Sequence, residues 1–212
     1  MNFGIVISSA GATALLSFCF LAAAIGSDYW YIIEVDKANC THSEDLDSHS
    51  GLWRIYEGKN ASSYFIHSFL VDTTNYTEPE RHLLNLHKVV VVLLPLTLVL
   101  LVFGWICGLV SSLARSKSLL SGTASYFLLC SLLTLSGVSV YISYSQQALE
   151  ELERLIGTEQ LAHVHVSYGW SLGVAWLAFS LQVATGLLLF LASRMTHVDH
   201  GGVPSPAAGS LT

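Results

Sequence analysis

Formal charge vanishes from four long stretches of this chain and gathers in the segments between them. No Asp, Glu, Lys or Arg lies between Met1 and Asp28, between Lys88 and Arg115, between Lys117 and Glu150, or between Glu159 and Arg194. Each gap holds the roughly 20 apolar residues that a helix rising about 1.5 Å per residue needs to cross about 30 Å of hydrocarbon. The pattern predicts four membrane spans, near Phe3 to Gly26, Val89 to Leu113, Leu119 to Tyr144 and Tyr168 to Ala192. They make one domain over residues 1–193, with outer loops 27–87 and 145–167 and an inner loop 114–118. The Gly- and Pro-rich residues 194–212 read as a short disordered cytoplasmic tail.

The long polar loop carries strand-like runs at Tyr29 to Val35, Leu52 to Tyr56 and Tyr64 to Val71, rich in aromatic and β-branched residues and divided by Asp, Asn, Ser and Gly. In the shorter loop, Gln147 to Ile156 has a helical apolar stripe, and Ala162 to Tyr168 is a further strand that would close a sheet edge. The fold class is therefore a membrane all-α four-helix bundle with a small extracellular antiparallel β-sheet.

Orientation follows from two sets of residues. Asn39, Asn60 and Asn75 each begin an Asn-x-Ser/Thr glycosylation acceptor, and all three lie in the long loop. The turn near Ser112 to Ser118 holds Arg115 and Lys117 with no acidic residue, as expected of a cytoplasmic connection. Both termini are then cytoplasmic, and the expected location is the plasma membrane, reached by the secretory pathway. A cleaved signal peptide over Met1 to Gly26 is the competing reading. It lacks a basic start and is longer than the usual apolar core of about 7–15 residues.

Composition agrees with a membrane chain, at 52% hydrophobic and 11% charged residues. The net charge of −6 comes from the outer loops, which hold every acidic residue except Asp199. Nothing points to a nucleic-acid partner, and the lipid bilayer is the first partner implied. Spans without ionisable residues argue against an ion or proton pathway. Catalytic residues, metal ligands and cofactor-binding motifs are not found, so no cofactor and no enzyme activity are expected. His163 and His165 share one face of the last strand, where a solvated face is the simpler reading than a metal site. Small residues recur at Gly104, Gly108 and Ser112 and again at Gly169 and Gly173, a spacing that lets helix backbones approach. They read as packing within the bundle or as a seam for self-association. Pro95 is expected to kink the second span. Cys19, Cys107 and Cys130 fall in spans and read as small apolar packing residues, with Cys107 also a candidate for acylation. Cys40 is alone outside, where it pairs between molecules or is shielded in its sequon.

The order of parts, with Trp30 and then Gly51, Leu52 and Trp53 in a long first loop on four spans, resembles the superfamily of claudins, peripheral myelin protein and epithelial membrane proteins. Within it, His49 to Arg54, Val138 to Ser143 and Ser167 to Ser171 are most similar to the voltage-dependent calcium channel gamma subunits, nearest their small gamma-like members. The resemblance implies a structural role for Trp53 where sheet meets helix ends. The superfamily pattern has a cysteine three residues after that Trp and a second several residues later. Here the first position is Tyr56, and no cysteine occurs from Thr41 to Ile106, so no loop disulfide is expected and the sheet would be looser. As function, the resemblance implies an auxiliary or adaptor subunit packed laterally on a partner membrane protein such as an ion channel. The alternative is a claudin-like adhesion or junction component. Three sequons and a polar C-terminal Thr212 weigh against the latter.

Overall fold

The computed structural model describes residues 2–35, 48–57, 62–65, 77–156 and 164–201. Asn39, Asn60, Asn75, Cys40 and His163 lie outside them. The chain runs α1 (Phe3–Gly26), β1 (Tyr31–Val35), β2 (Ser48–Ser50), β3 (Arg54–Glu57), β4 (Ser62–Phe65), α2 (Glu78–Ala114), α3 (Lys117–Ile156), β5 (Val164–Tyr168) and α4 (Trp170–Gly201). All four helices are long and apolar enough to cross a membrane.

Three helices outrun the spans that hydropathy predicts. α2 begins at Glu78 rather than Val89, because Thr77-Glu78-Pro79-Glu80 is a start signal. The Glu80 carboxylate accepts the Thr77 N–H at 2.8 Å and its hydroxyl at 2.9 Å, which holds its pKa below the usual carboxylate range. α2 then continues unbroken through Pro95. α3 takes in the helical stripe at Gln147 to Ile156, expected above the third span in the outer loop, as part of one 40-residue helix. α4 extends past Arg194 to Gly201, which corrects the expectation of disorder from residue 194; residues 202–212 are not described.

The five strands form one antiparallel sheet in the order β4-β3-β2-β1-β5. β5 pairs with β1 from Tyr31↔Tyr168 to Val35↔Val164, so it closes that edge as expected. The central strand β2, Ser48-His49-Ser50, is one the residue pattern does not predict. Its propensity is poor, and its backbone is recruited by β1 on one side and β3 on the other.

The sheet sits where α1 ends and α4 begins, beside the first turns of α2. At the far end of the bundle, the Ser193 hydroxyl bonds the Lys117 carbonyl at 3.1 Å, and Arg115 lies 5.6 Å over the Phe3 ring. The core between helices is built of small and medium side chains, with Ala10, Ala24, Ala124, Ala175 and Ala178 packed around Leu21, Leu94, Leu120 and Phe127. Three of its polar contacts run between helices. Thr13 and Thr185 hydroxyls meet at 2.8 Å, Ser17 donates to the Ala178 carbonyl at 3.0 Å, and Thr134 donates to Gln182 Oε1 at 2.9 Å.

Candidate functional site: the junction of sheet and helices

A helix leaves its last carbonyls without partners in the helix, and α1 ends at the base of the sheet. Two indoles supply the missing donors. Trp30 Nε1–H donates to the Ala24 carbonyl at 2.7 Å, and Trp53 Nε1–H to the Ile25 carbonyl at 3.0 Å. Trp30 is fully buried, its ring 4.6 Å from that of Tyr141 on α3; Trp53 is about a third exposed. An indole suits such a boundary because its apolar ring fills space while its one N–H reaches a carbonyl.

Gly51 and Leu52 hold the Trp53 strand in place. The Gly51 N–H donates to the Arg54 carbonyl at 2.8 Å, while the Ser50 carbonyl accepts the Trp30 N–H at 3.0 Å. A Cβ at residue 51 would stand 2.6 Å from Asp28 Cα, so the backbones approach closely enough to require glycine. Leu52 is buried, and its carbonyl accepts from His87 Nε2 at 3.1 Å. His87 is buried at the outer turns of α2, its ring 5.3 Å from that of Tyr144. Burial lowers its pKa, and the bond to Leu52 opposes that shift without cancelling it. A neutral imidazole with its proton on Nε2 is the form that fits.

α4 completes the junction. The Gly169 N–H donates to the Trp30 carbonyl at 3.0 Å, the Ser171 N–H to the Tyr29 carbonyl at 3.3 Å, and the Ser171 hydroxyl to Ser27 Oγ at 2.8 Å. A Cβ at residue 169 would run into the Tyr29 carbonyl. Residues 27–30 are thereby bonded to β2 and α4, packed on α3, and bonded back to α1. On the sheet, Tyr29, His49 and Tyr56 form a ladder of near-parallel rings, 4.6 and 4.7 Å apart. The Tyr56 hydroxyl donates to Asp28 Oδ2 at 3.1 Å. Its side-chain bond to Arg54 holds that guanidinium more firmly charged. Burial, with the neighbouring Tyr168, pushes the Tyr31 phenol up to about 12.

Trp30, Gly51, Leu52 and Trp53 thus converge on one junction. The four glycines picked for helix packing do not share one environment. Gly104 meets Tyr126 and Phe127 of α3, where a Cβ would come within 2.9 Å of the Tyr126 ring. A Cβ on Gly108 would make one ordinary contact, to Thr123 at 3.9 Å. Gly169 packs on the Tyr29 backbone, whereas a Cβ on Gly173 would meet nothing within 4 Å, so the two do not form one seam. The three described cysteines, Cys19, Cys107 and Cys130, are free. Among the described residues, no three His, Cys, Asp or Glu side chains are grouped to hold a metal ion. His165 pairs with Glu34 in the β1–β5 register. Residue reading missed His87 and Gln182. The latter is the one amide inside the predicted spans, a signal that was available.

Known proteins are similar to this chain in sequence. The chain is 27% identical over 198 residues to the voltage-dependent calcium channel gamma-4 subunit of Homo sapiens, covering 86% of this chain and 58% of that protein. It is 24% identical over 210 residues to the gamma-1 subunit of Sus scrofa, covering 84% and 88%. It is 26% identical over 195 residues to the gamma-3 subunit of Rattus norvegicus, covering 86% and 59%. The chain therefore spans under two thirds of the length of the gamma-4 and gamma-3 relatives. The sequence model of the family described as PMP-22/EMP/MP20/Claudin tight junction matches residues 15–191, from the middle of α1 into the last third of α4. Four apolar helices, a five-stranded sheet pinned on their ends by Trp30 and Trp53, and that match make this chain a multi-pass membrane protein of the PMP-22, EMP, MP20 and claudin family.

Proposed function

We propose that this protein is a non-enzymatic auxiliary subunit that packs laterally on a partner membrane protein of the ion-channel class. The carrying observation is that relatives named as calcium channel gamma subunits align with 84–86% of this chain. The junction geometry supports the reading. Because Trp30, Trp53 and His87 bond the sheet to the helix ends, contacts made by helices in the bilayer and by the sheet above it belong to one body. Such a body shifts a partner's equilibrium by binding one of its conformations more tightly. In this reading the sheet and its sequons at Asn39, Asn60 and Asn75 face outside, the termini are cytoplasmic and the protein resides at the plasma membrane.

The α4 face around Gly173, Trp176 and Leu177 is the lateral contact proposed, since all three are exposed and Gly173 has open space above it. The test is affinity purification of the surface-expressed protein in mild detergent, with mass spectrometry of what is retained. Gly173→Leu should lose a retained channel or receptor while melting like wild type. Gly104→Leu is unsuitable because it would disturb α3. Retention of junction proteins only, with concentration at cell contacts, would refute lateral action in favour of adhesion, the reading that the family's description favours.

A further inference from the structure

Of two cavities in the membrane domain away from the junction, the less open one lies against α1. It lies in the half of the bundle away from the sheet, between α1 and α2, with a volume of about 60 Å³. Its walls are small residues, Ala10 and Gly11 on α1 and Gly108 and Ser112 on α2, with Phe127 of α3 behind them. It extends about two turns along both helices, roughly 10 Å. Trp105 and Leu109, both exposed, stand at its rim, so it opens sideways to the bilayer. A groove of this shape and lining takes a hydrocarbon chain, not water, which would need polar partners.

Charge at the groove's end selects among lipids. Ile7, which also lines the groove, is one turn from Phe3, and the Arg115 guanidinium covers the Phe3 ring at 5.6 Å. A cation over a ring face keeps its N–H donors, which can meet an anionic headgroup. Lys117 follows in the same turn, and the Ser193 bond to the Lys117 carbonyl brings Arg194 to this end of the bundle. Arg115, Lys117 and Arg194 are exposed, and none has an ion-pair partner among the described residues. We infer that the α1–α2 groove binds one anionic phospholipid, with an acyl chain between Gly11 and Gly108 and its net negative headgroup against Arg115, Lys117 and Arg194. The site lies away from the sheet and from the Gly173 face, so it stands or falls independently of the channel reading.

The experiment is native mass spectrometry of the full-length protein in mild detergent, offered equal amounts of dioleoyl phosphatidylserine and dioleoyl phosphatidylcholine. Wild type should retain phosphatidylserine preferentially. Arg115→Asn keeps a residue that tolerates the left-handed backbone at this position (φ 47°) and should lower that preference about fivefold. Gly11→Leu places its Cβ where nothing lies within 4 Å and its branched end in the groove, and should abolish retention of both lipids. Gly108→Leu fills it from the other wall, and Arg81→Gln at the sheet end is the control that should change nothing. Equal retention of the two lipids by wild type, or undiminished retention by both filled variants, overturns the site. A dimer without lipid that Gly11→Leu splits would assign the groove to a second copy instead.

Discussion

Substituting each junction tryptophan by phenylalanine separates what the two indoles contribute. Trp30→Phe removes a bond of 2.7 Å at a fully buried residue. The Ala24 carbonyl keeps the Ser27 N–H at 3.3 Å, so it is not orphaned, and the lost bond costs about 1 kcal/mol. The smaller ring leaves a void against Tyr141 equal to roughly three heavy atoms, worth about 2 kcal/mol. The sum is about 3 kcal/mol. Trp53→Phe removes a 3.0 Å bond from a ring that is about a third exposed, where water or headgroups can replace the donor, so its cost is about 1 kcal/mol. At about 2–4 °C per kcal/mol for a chain of this size, thermal unfolding in mild detergent should fall by about 6–12 °C for Trp30→Phe and about 2–4 °C for Trp53→Phe. Scan rate must be fixed, because membrane proteins often unfold irreversibly. Equal shifts, or a larger one for Trp53→Phe, would refute the placement of Trp30 as the buried anchor.

The two glycines of α4's start should respond oppositely. Gly169→Ala forces a Cβ onto the Tyr29 carbonyl and should lower stability by about 3 kcal/mol. Gly173→Ala gains helix propensity in open space and should be neutral or stabilising by about 0.5–1 kcal/mol; denaturant titration distinguishes them. For His87 the folded pKa lies below the ordinary 6.5, so the unfolded chain takes up the proton first. Its contribution is complete above about pH 6.5 and is lost as pH falls below that value. Melting temperature should therefore drop from pH 7 to pH 5, and His87→Gln should flatten that drop; an unchanged slope would exclude His87 as its source.

The spans were legible because the bilayer imposes one rule on every residue within it, and four gaps in formal charge satisfy that rule. Their ends were not, because outside the hydrocarbon a helix continues or stops by capping and packing. The start of α2 is written in Thr77 and Glu80, yet hydropathy alone begins the span at Val89. β5 was readable from alternating Val164, Val166 and Tyr168, whereas β2 has no such pattern and exists through its neighbours. Gly169 and Gly173 look alike in sequence, but one lies against a backbone and the other faces outward. Which face of a helix meets which neighbour is a tertiary fact, and local spacing does not carry it. The same holds for His87, whose partner Leu52 is 35 residues away.

The missing cysteine at Tyr56 shows how a family feature is replaced rather than lost. In the β3–β4 register Tyr56 stands opposite Ser63, so a disulfide at this pair would close a loop of roughly eight residues and contribute about 2.5 kcal/mol. Tyr56 instead reaches the other way. Its ring stacks on His49 of β2, which stacks on Tyr29, and its hydroxyl bonds Asp28. Two ring contacts at about 0.5–1 kcal/mol each and a partly exposed bond to a carboxylate at about 1 kcal/mol reach a comparable total. β3 is tied inward to the residues that cap α1, while the edge strand β4 depends on its four-residue ladder to β3. Stability is moved from the sheet's outer edge to its junction with the helices.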